Sequence, residues 1–247
     1  VTVHFAEAPD QASIRELVSA AVGDKIAGDI AFDIVEARDW IKATLEQLVP
    51  VRAGRFILHG RHDRAKVPPN KIGVEIEAAL AFGTGHHGTT RGCLLLLDHV
   101  LKAYRPRRVL DLGTGTGVLA ISAAKALHIK LLASDNDPLS VNVARENARL
   151  NGTGDMVNTI HATGFSAPQF ESDRPFDLVL ANILANPLRQ MATPMARHLA
   201  SSALLILSGL LPHQAQGVIA TYRTRGLVLE RHIQIEGWSS LLMRKAQ

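Results

Sequence analysis

The sequence contains few of the residues on which several classes of protein depend. Its 247 residues include a single cysteine, Cys93, and only 4% are aromatic. One cysteine cannot form an internal disulfide framework and is typical of a reducing compartment, so we expect a cytoplasmic protein. Because Cys93 lies in the apolar run 93–97, we predict a packed helix thiol. The scarcity of aromatic side chains leaves no stacking platform for single-stranded nucleic acid, and we predict no direct nucleic-acid site.

Long hydrophobic runs are also missing. The densest apolar stretch, 203–211, is interrupted by Ser208 and Gly209 and falls short of the ~18 residues of a membrane span. We therefore predict no membrane partner, and we expect a monomer. The hydrophobic content of 47% is that of an ordinary globular protein, and the net charge of +4 permits a polyanionic neighbour without requiring one.

A polar segment with a Pro-Pro step, residues 61–71, divides the chain. It predicts a linker between an N-terminal domain at 1–60 and a C-terminal domain at 72–247. The N-terminal pattern predicts strands and helices in the order β-α-β-α-β, at 1–6, 10–22, 30–35, 39–48 and 55–59. This order is typical of a small α+β domain of the ferredoxin-like kind, which we expect to be shortened.

A glycine-rich turn follows a buried strand at residues 109–117. The strand contains Asp111, and glycines 113, 115 and 117 follow it at every second position. Glycine is needed where the main chain turns tightly or is approached closely by another group. Asp135 ends the next apolar run, where nucleotide-binding α/β folds bind a ribose diol. The segment therefore predicts a nucleoside-binding crevice.

The spacing of these glycines distinguishes between nucleosides. A dinucleotide fingerprint requires its third glycine at position 118, which is Val118, so a nicotinamide oxidoreductase is a disfavoured alternative. The observed D-x-G-x-G-x-G order is similar to motif I of the class I methyltransferases, which bind S-adenosyl-L-methionine. Backbone N–H groups suit the carboxylate of that ligand, and acids suit its cationic groups and its diol. S-adenosyl-L-methionine is therefore the predicted cofactor.

Two further segments carry polar residues. Residues 81–90 contain three glycines, three threonines and the adjacent pair His86-His87. Adjacent histidines rarely bind one ion and no further ligand stands at a suitable spacing, so we predict no metal. Asn182 directly follows a buried strand, at the carboxyl end where ligands bind in open α/β sheets. It is predicted either to accept a hydrogen bond from a target nitrogen or to cap the following helix, and both roles stay open.

Together these segments resemble one family, the bacterial methyltransferases of the eleventh protein of the large ribosomal subunit. The matching pieces are 82–87, 89–90, 109–113, 182–185 and 205–209. The resemblance implies methyl transfer to lysine ε-amines and the N-terminal α-amine of that ribosomal protein, with substrate recognition by the N-terminal domain. It implies that Asn182 orients the amine and that the cofactor is bound by Phe82, Thr90, Gly113, Gly115, Asp135 and Asn182. Gly88 departs from the proline or other non-glycine residue usual in the family, which predicts a looser loop.

The C-terminal region alternates strands and helices. Strands are predicted at 108–112, 130–134, 157–161, 177–181, 203–208, 227–235 and 238–244, and the best-marked helix at 138–150. The last two strands predict a reversed hairpin, as in the class I methyltransferase version of the Rossmann-like α/β fold, whose seven-stranded sheet has an antiparallel C-terminal strand.

Two other functions remain as alternatives. The basic net charge permits an RNA or DNA amino-methyltransferase, although the sequence after Asn182 lacks the Pro-Pro-aromatic step common in nucleic-acid enzymes. A flipped base needs an aromatic stacking partner, and the chain has few aromatic residues. A ribosome-associated module that binds S-adenosyl-L-methionine without transferring methyl groups is the second alternative.

Overall fold

The computed structural model describes residues 10–24, 27, 29–32, 50–76 and 87–246. The chain divides into two compact units, residues 1–46 and 47–247. The first unit contains helix α1 (Gln11–Val22), which begins where the Asp10 side chain accepts a hydrogen bond from the Ala12 N–H, at 3.2 Å. The remaining elements predicted for this region, at 1–6, 30–35 and 39–48, lie wholly or partly outside the described residues.

The second unit opens with a small three-stranded sheet. Its strands are β1 (Val51–Ala53), β2 (Phe56–His59) and β3 (Ile72–Glu75), with β1 antiparallel and β3 parallel to β2.

The predicted linker at 61–71 connects two strands of this sheet and contains a 3-10 helix, Arg61–Lys66. The Arg64 guanidinium donates to both carboxylate oxygens of Glu75, at 2.6 and 2.8 Å, so this segment is bound to the end of β3. The division into domains at 1–60 and 72–247 stays a prediction.

Seven strands form the main sheet: β4 (Val109–Leu112), β5 (Leu131–Asp135), β6 (Val157–His161), β7 (Phe176–Asn182), β8 (Leu199–Leu210), β9 (Leu227–Ile235) and β10 (Trp238–Lys245). Their order across the sheet is β6-β5-β4-β7-β8-β10-β9. The helices are α2 (His87–Ala103), α3 (Val118–Leu127), α4 (Pro138–Leu150), α5 (Pro168–Asp173), α6 (Ala185–Gln190), α7 (Ala192–His198) and α8 (Pro212–Arg223). Neighbouring strands from β6 to β8 run parallel, and β10 is antiparallel to both β8 and β9.

Apolar side chains on both faces of the sheet form the core. One cluster packs β4 and the small sheet against α2 and α3, and the other packs β7 and β8 against the helices from α5 to α8. Every residue of β4 is buried, because a central parallel strand is covered on both faces. Among the described residues, none of the helices combines the length and apolarity needed to cross a bilayer. The predicted fold class is confirmed, including the reversed final strand.

Candidate active site

The glycine-rich turn between β4 and α3 has the backbone conformation that the sequence predicts. Gly113 and Gly115 have φ angles of +73° and +54°, in the left-handed region that favours glycine. A Cβ at Gly113 would overlap the side chain of Ile183, which follows β7. A Cβ at Gly115 would have nothing within 4 Å, so the space beside this part of the turn is open to a ligand.

Asp135 lies at the carboxyl end of β5, beside this turn. Its carboxylate accepts hydrogen bonds from the N–H of Gly115, at 2.8 Å, and from the N–H of Asp137, at 3.0 Å. The side chain is therefore held in one orientation at the edge of the open space. A carboxylate oxygen has more than one lone pair, so these bonds leave Asp135 able to accept from a hydroxyl.

Asp111, the acid of the glycine motif, is buried beneath the turn. Its Oδ2 accepts from Thr114 Oγ1 at 2.7 Å and from the Ala120 N–H at 2.9 Å. Its Oδ1 has no hydrogen-bond partner among the residues that the structure describes. Burial raises the pKa of the Asp111 carboxyl to about 6, against the opposing effect of the two hydrogen bonds. We did not predict Asp111 as a site residue, although its position two residues before the first glycine was the available signal.

Asn182 is the last residue of β7, next to β4 in the sheet. Its Nδ2 donates to the hydroxyl oxygens of Thr89 and Thr90 at the start of α2, at 3.3 and 3.4 Å. Helix α6 is capped by Leu184, so the alternative role of Asn182 as a helix N-cap is wrong.

The residue after Asn182, Ile183, is in contact with two glycines from different parts of the sheet. Ile183 packs against Gly113 of the glycine turn, and its carbonyl oxygen lies where a Cβ at Gly209 would be. Gly209 follows the buried part of β8 and has a φ of +84°, so glycine is required there on both counts. Asn182 is thereby fixed relative to the glycine turn, although the two are far apart in sequence.

The structure thus brings together the predicted site residues that it describes: Thr90, Gly113, Gly115, Asp135 and Asn182. Phe82 and His86 lie outside the described residues, as does the side chain of His87. The assignment of Phe82 as a cofactor-binding residue stays a prediction.

The expectation of a loose loop at Gly88 is wrong for this residue. Gly88 is buried in the first turn of α2, and a Cβ there would lie 2.6 Å from the carbonyl oxygen of Ile235 and 3.0 Å from Trp238 Cδ1. Glycine at this position allows the β9–β10 turn to pack directly on the helix backbone.

Cys93 of α2 is fully buried, and burial raises the pKa of its thiol to about 12. The predicted packed helix thiol is confirmed, because such a thiol stays neutral and is screened from reagents.

The chain matches one protein family over nearly its whole length. The model of the family "Ribosomal protein L11 methyltransferase (PrmA)" matches residues 1–246. Ribosomal protein L11 methyltransferases of Bradyrhizobium diazoefficiens and Rhodopseudomonas palustris are 71% and 66% identical over 245 residues, covering 99% of this chain and 83% of each relative.

Solved structures agree with these sequence matches. The ribosomal protein L11 methylase of Lactobacillus delbrueckii subsp. bulgaricus is 25% identical with a TM-score of 0.73, covering 81% of this chain and 100% of that one. An O-methyltransferase family protein from Burkholderia thailandensis is 16% identical with a TM-score of 0.51, over 64% of this chain and 57% of that one, a likeness of fold alone.

These matches confirm the resemblance inferred from the motifs. The family model extends over nearly the whole chain. The matching segments that the structure describes, 89–90, 109–113, 182–185 and 205–209, contribute to the site at the carboxyl edge of the main sheet. The chain belongs to the ribosomal protein L11 methyltransferase (PrmA) family.

Proposed function

We propose that this chain transfers methyl groups from S-adenosyl-L-methionine to lysine ε-amines and the N-terminal α-amine of ribosomal protein L11. The observation that supports it most directly is the position of Asn182, whose amide is held by two threonine hydroxyls beside the open glycine turn. Residues 1–60 are the proposed substrate-recognition region. A cytoplasmic location and a monomeric enzyme complete the proposal.

The chain is a class I methyltransferase that uses S-adenosyl-L-methionine. When bound, this molecule supplies an electrophilic methyl group on a sulfonium. The residues present fit it: Asp135 presents a carboxylate to a ribose diol, and the open space beside Gly115 admits a ligand close to the main chain.

The acceptor amine must lose a proton before it can attack a methyl group. An unperturbed lysine has a pKa of about 10.4, so only about one part in a few thousand is neutral near pH 7. Transfer into a partly dehydrated site, beside a positive charge, lowers the pKa of the amine because both effects disfavour ammonium. The described site residues include no obvious general base, and we assign the proton to water.

Asn182 is the residue we assign to orient the amine. Its Nδ2 faces the hydroxyls of Thr89 and Thr90, so its carbonyl Oδ1 points away from them and can accept a hydrogen bond from an incoming amine. A neutral amide is suited to this role, because a carboxylate there would stabilise the unreactive ammonium form.

The test measures label transfer from isotopically labelled S-adenosyl-L-methionine to purified, unmethylated L11 and, separately, to ribosomal RNA. We expect label in L11, with a kcat for Asn182→Ala lower by at least about tenfold, as expected for loss of an orienting hydrogen bond. The control is Asn158→Ala, an exposed asparagine on β6.

Label in RNA alone would contradict the proposal in favour of the nucleic-acid alternative. Cofactor binding without label in either would favour the non-catalytic module. Unchanged kcat for Asn182→Ala, with L11 still labelled, would remove only the assignment of Asn182.

A further inference from the structure

We propose that Ser208 is a positioning residue, which holds the first turn of α2 so that Thr89 and Thr90 meet Asn182. This inference rests on the proposed function, because it concerns the geometry of the same amine-orienting amide. The matched segment 205–209 contains this serine, but the family resemblance assigns it no role in the site.

Ser208 lies in β8 and is fully buried. Its Oγ lies 2.8 Å from Ser240 Oγ, and 3.3 Å from the carbonyl oxygens of both Thr89 and Ser239. The hydroxyl therefore joins α2 to two strands of the main sheet.

The number of hydroxyl protons limits the hydrogen bonds that this network can form at one time. Ser208 has one hydroxyl proton, and the two carbonyl oxygens within its reach can only accept. If Ser240 donates to Ser208, the Ser208 proton is available to the Thr89 carbonyl. In that arrangement Ser240 supports the bond between Ser208 and α2.

Thr89 is consequently held at two points. Ser208 binds its main-chain carbonyl and Asn182 binds its hydroxyl, at 3.3 Å in each case. Ser208 and Asn182 are also paired neighbours in the β7–β8 register. A shift of the first turn of α2 would therefore move the partners of the Asn182 amide.

Two glycines of α2 allow the helix backbone to lie close to the β9–β10 hairpin. A Cβ at Gly88 would lie 2.6 Å from the Ile235 carbonyl oxygen, and a Cβ at Gly92 would overlap Ser240 Oγ. The two glycines are four residues apart, so they lie on one face of the helix. The helix backbone thus rests directly on β10, where the serine hydroxyls reach it.

The test is a double-mutant cycle in the full chain, measured by methylation of L11 at saturating S-adenosyl-L-methionine. We expect Ser208→Ala to lower kcat by about tenfold, the usual effect of one lost buried hydrogen bond, and to change KM for S-adenosyl-L-methionine less than about twofold. In an Asn182→Ala background the same substitution is expected to have almost no further effect, because the amide it positions is gone.

Ser122→Ala is the matched control. Ser122 is also fully buried, and its hydroxyl donates to the carbonyl of Val118 within its own helix, at 2.7 Å. We expect it to leave kcat unchanged and to show no coupling to Asn182. Ser240→Ala, which removes only the supporting donor, is expected to lower kcat less than Ser208→Ala does, and it serves as the test if Ser208→Ala fails to fold.

If Ser208→Ala lowered kcat by the same tenfold in the wild-type and in the Asn182→Ala background, the positioning role would be overturned. The proposed function would remain intact. A loss of kcat matched by Ser122→Ala would also overturn the positioning role, since that would indicate general destabilisation. A failure of the proposed function itself would appear separately, as absence of L11 labelling by the unmodified chain.

Discussion

The two sides of the site are built in different ways. On the cofactor side, residues 109–137, Asp111 binds a hydroxyl three residues away and Asp135 binds an N–H twenty residues away. On the acceptor side, Thr89 is 93 residues from Asn182 and 119 from Ser208. One side is a continuous supersecondary unit, and the other is assembled from distant segments. A single continuous motif can therefore describe the first side, whereas the second side requires several separate segments whose contacts a motif does not give.

Disrupting the acceptor side alone gives the largest expected effect. Gly209→Ala places a Cβ on the Ile183 carbonyl at a φ of +84°, and the backbone after Asn182 must move. We expect kcat to fall by about a hundredfold or more, since displacement of about 1 Å costs that much, while affinity for S-adenosylhomocysteine changes little. Steady-state kinetics and calorimetry measure the two quantities.

Gly152→Ala is the control for Gly209→Ala. Gly152 has a φ of +69° with open space around a Cβ, so it reports the backbone strain alone. Equal kcat values for the two variants would mean that the contact with Ile183 does not matter.

Disrupting the cofactor side alone is expected to have a smaller effect, and on cofactor affinity rather than on kcat. Asp135→Ala removes a carboxylate that accepts two backbone N–H groups beside the open turn. We expect affinity for S-adenosylhomocysteine to fall by about 10–100-fold, as for loss of charged hydrogen bonds, and kcat at saturation to change less. Calorimetric titration with S-adenosylhomocysteine measures this affinity, and Asp155→Ala, which removes an exposed acid, is the control. Unchanged affinity in Asp135→Ala would refute the ribose assignment.

The buried acid of the cofactor side is expected to give a pH effect of about 1 kcal/mol. The folded pKa of Asp111, about 6, exceeds its ordinary value of 3.8, so its carboxylate destabilises the fold above pH 6. This penalty diminishes as the pH falls from 7 towards 4. The unfolding free energy of the wild type, relative to Asp111→Asn, should therefore rise by about 1 kcal/mol from pH 7 to pH 5. Urea unfolding at both pH values measures this, and parallel changes in the two proteins would contradict it.

The smallest expected effect concerns the surface of the acceptor side. Leu184 caps α6 without a side-chain hydrogen bond and is 70% exposed. Leu184→Ser provides a capping hydroxyl and should raise the free energy of unfolding by about 0.5–1 kcal/mol. Thermal unfolding measures the change. Leu139→Ser, an equally exposed leucine inside α4, is the control and should bring no such gain.

Much of the C-terminal fold could be predicted because its signals are local. Helix α4 has the predicted bounds, 138–150, since Asp137 caps its start with hydrogen bonds to Leu139 and Ser140. The predicted strands agree with β4–β10 to within a few residues at each end. For the central strands β4, β7 and β8 the signal is a continuous apolar run, which marks a strand buried on both faces.

Strand β3 was missed for a physical reason. It is only four residues long, and its backbone is held by a side chain that is distant in sequence. Asn151 accepts from the Glu75 N–H at 2.9 Å and donates to the Glu75 carbonyl at 2.7 Å. An amide side chain that completes a strand edge leaves no periodic pattern in the strand itself.

The sequence by itself determined the fold class, the cofactor turn and the family, because the glycines, the acids and the apolar runs act over short stretches of chain. Only the tertiary structure decided that Gly88 and Gly92 face β10 and that Ser208 reaches Thr89. It also decided that Asn182 is bound by threonines rather than capping a helix. Such contacts depend on how sheet neighbours are ordered, and that order arises only when distant strands and helices pack around one core.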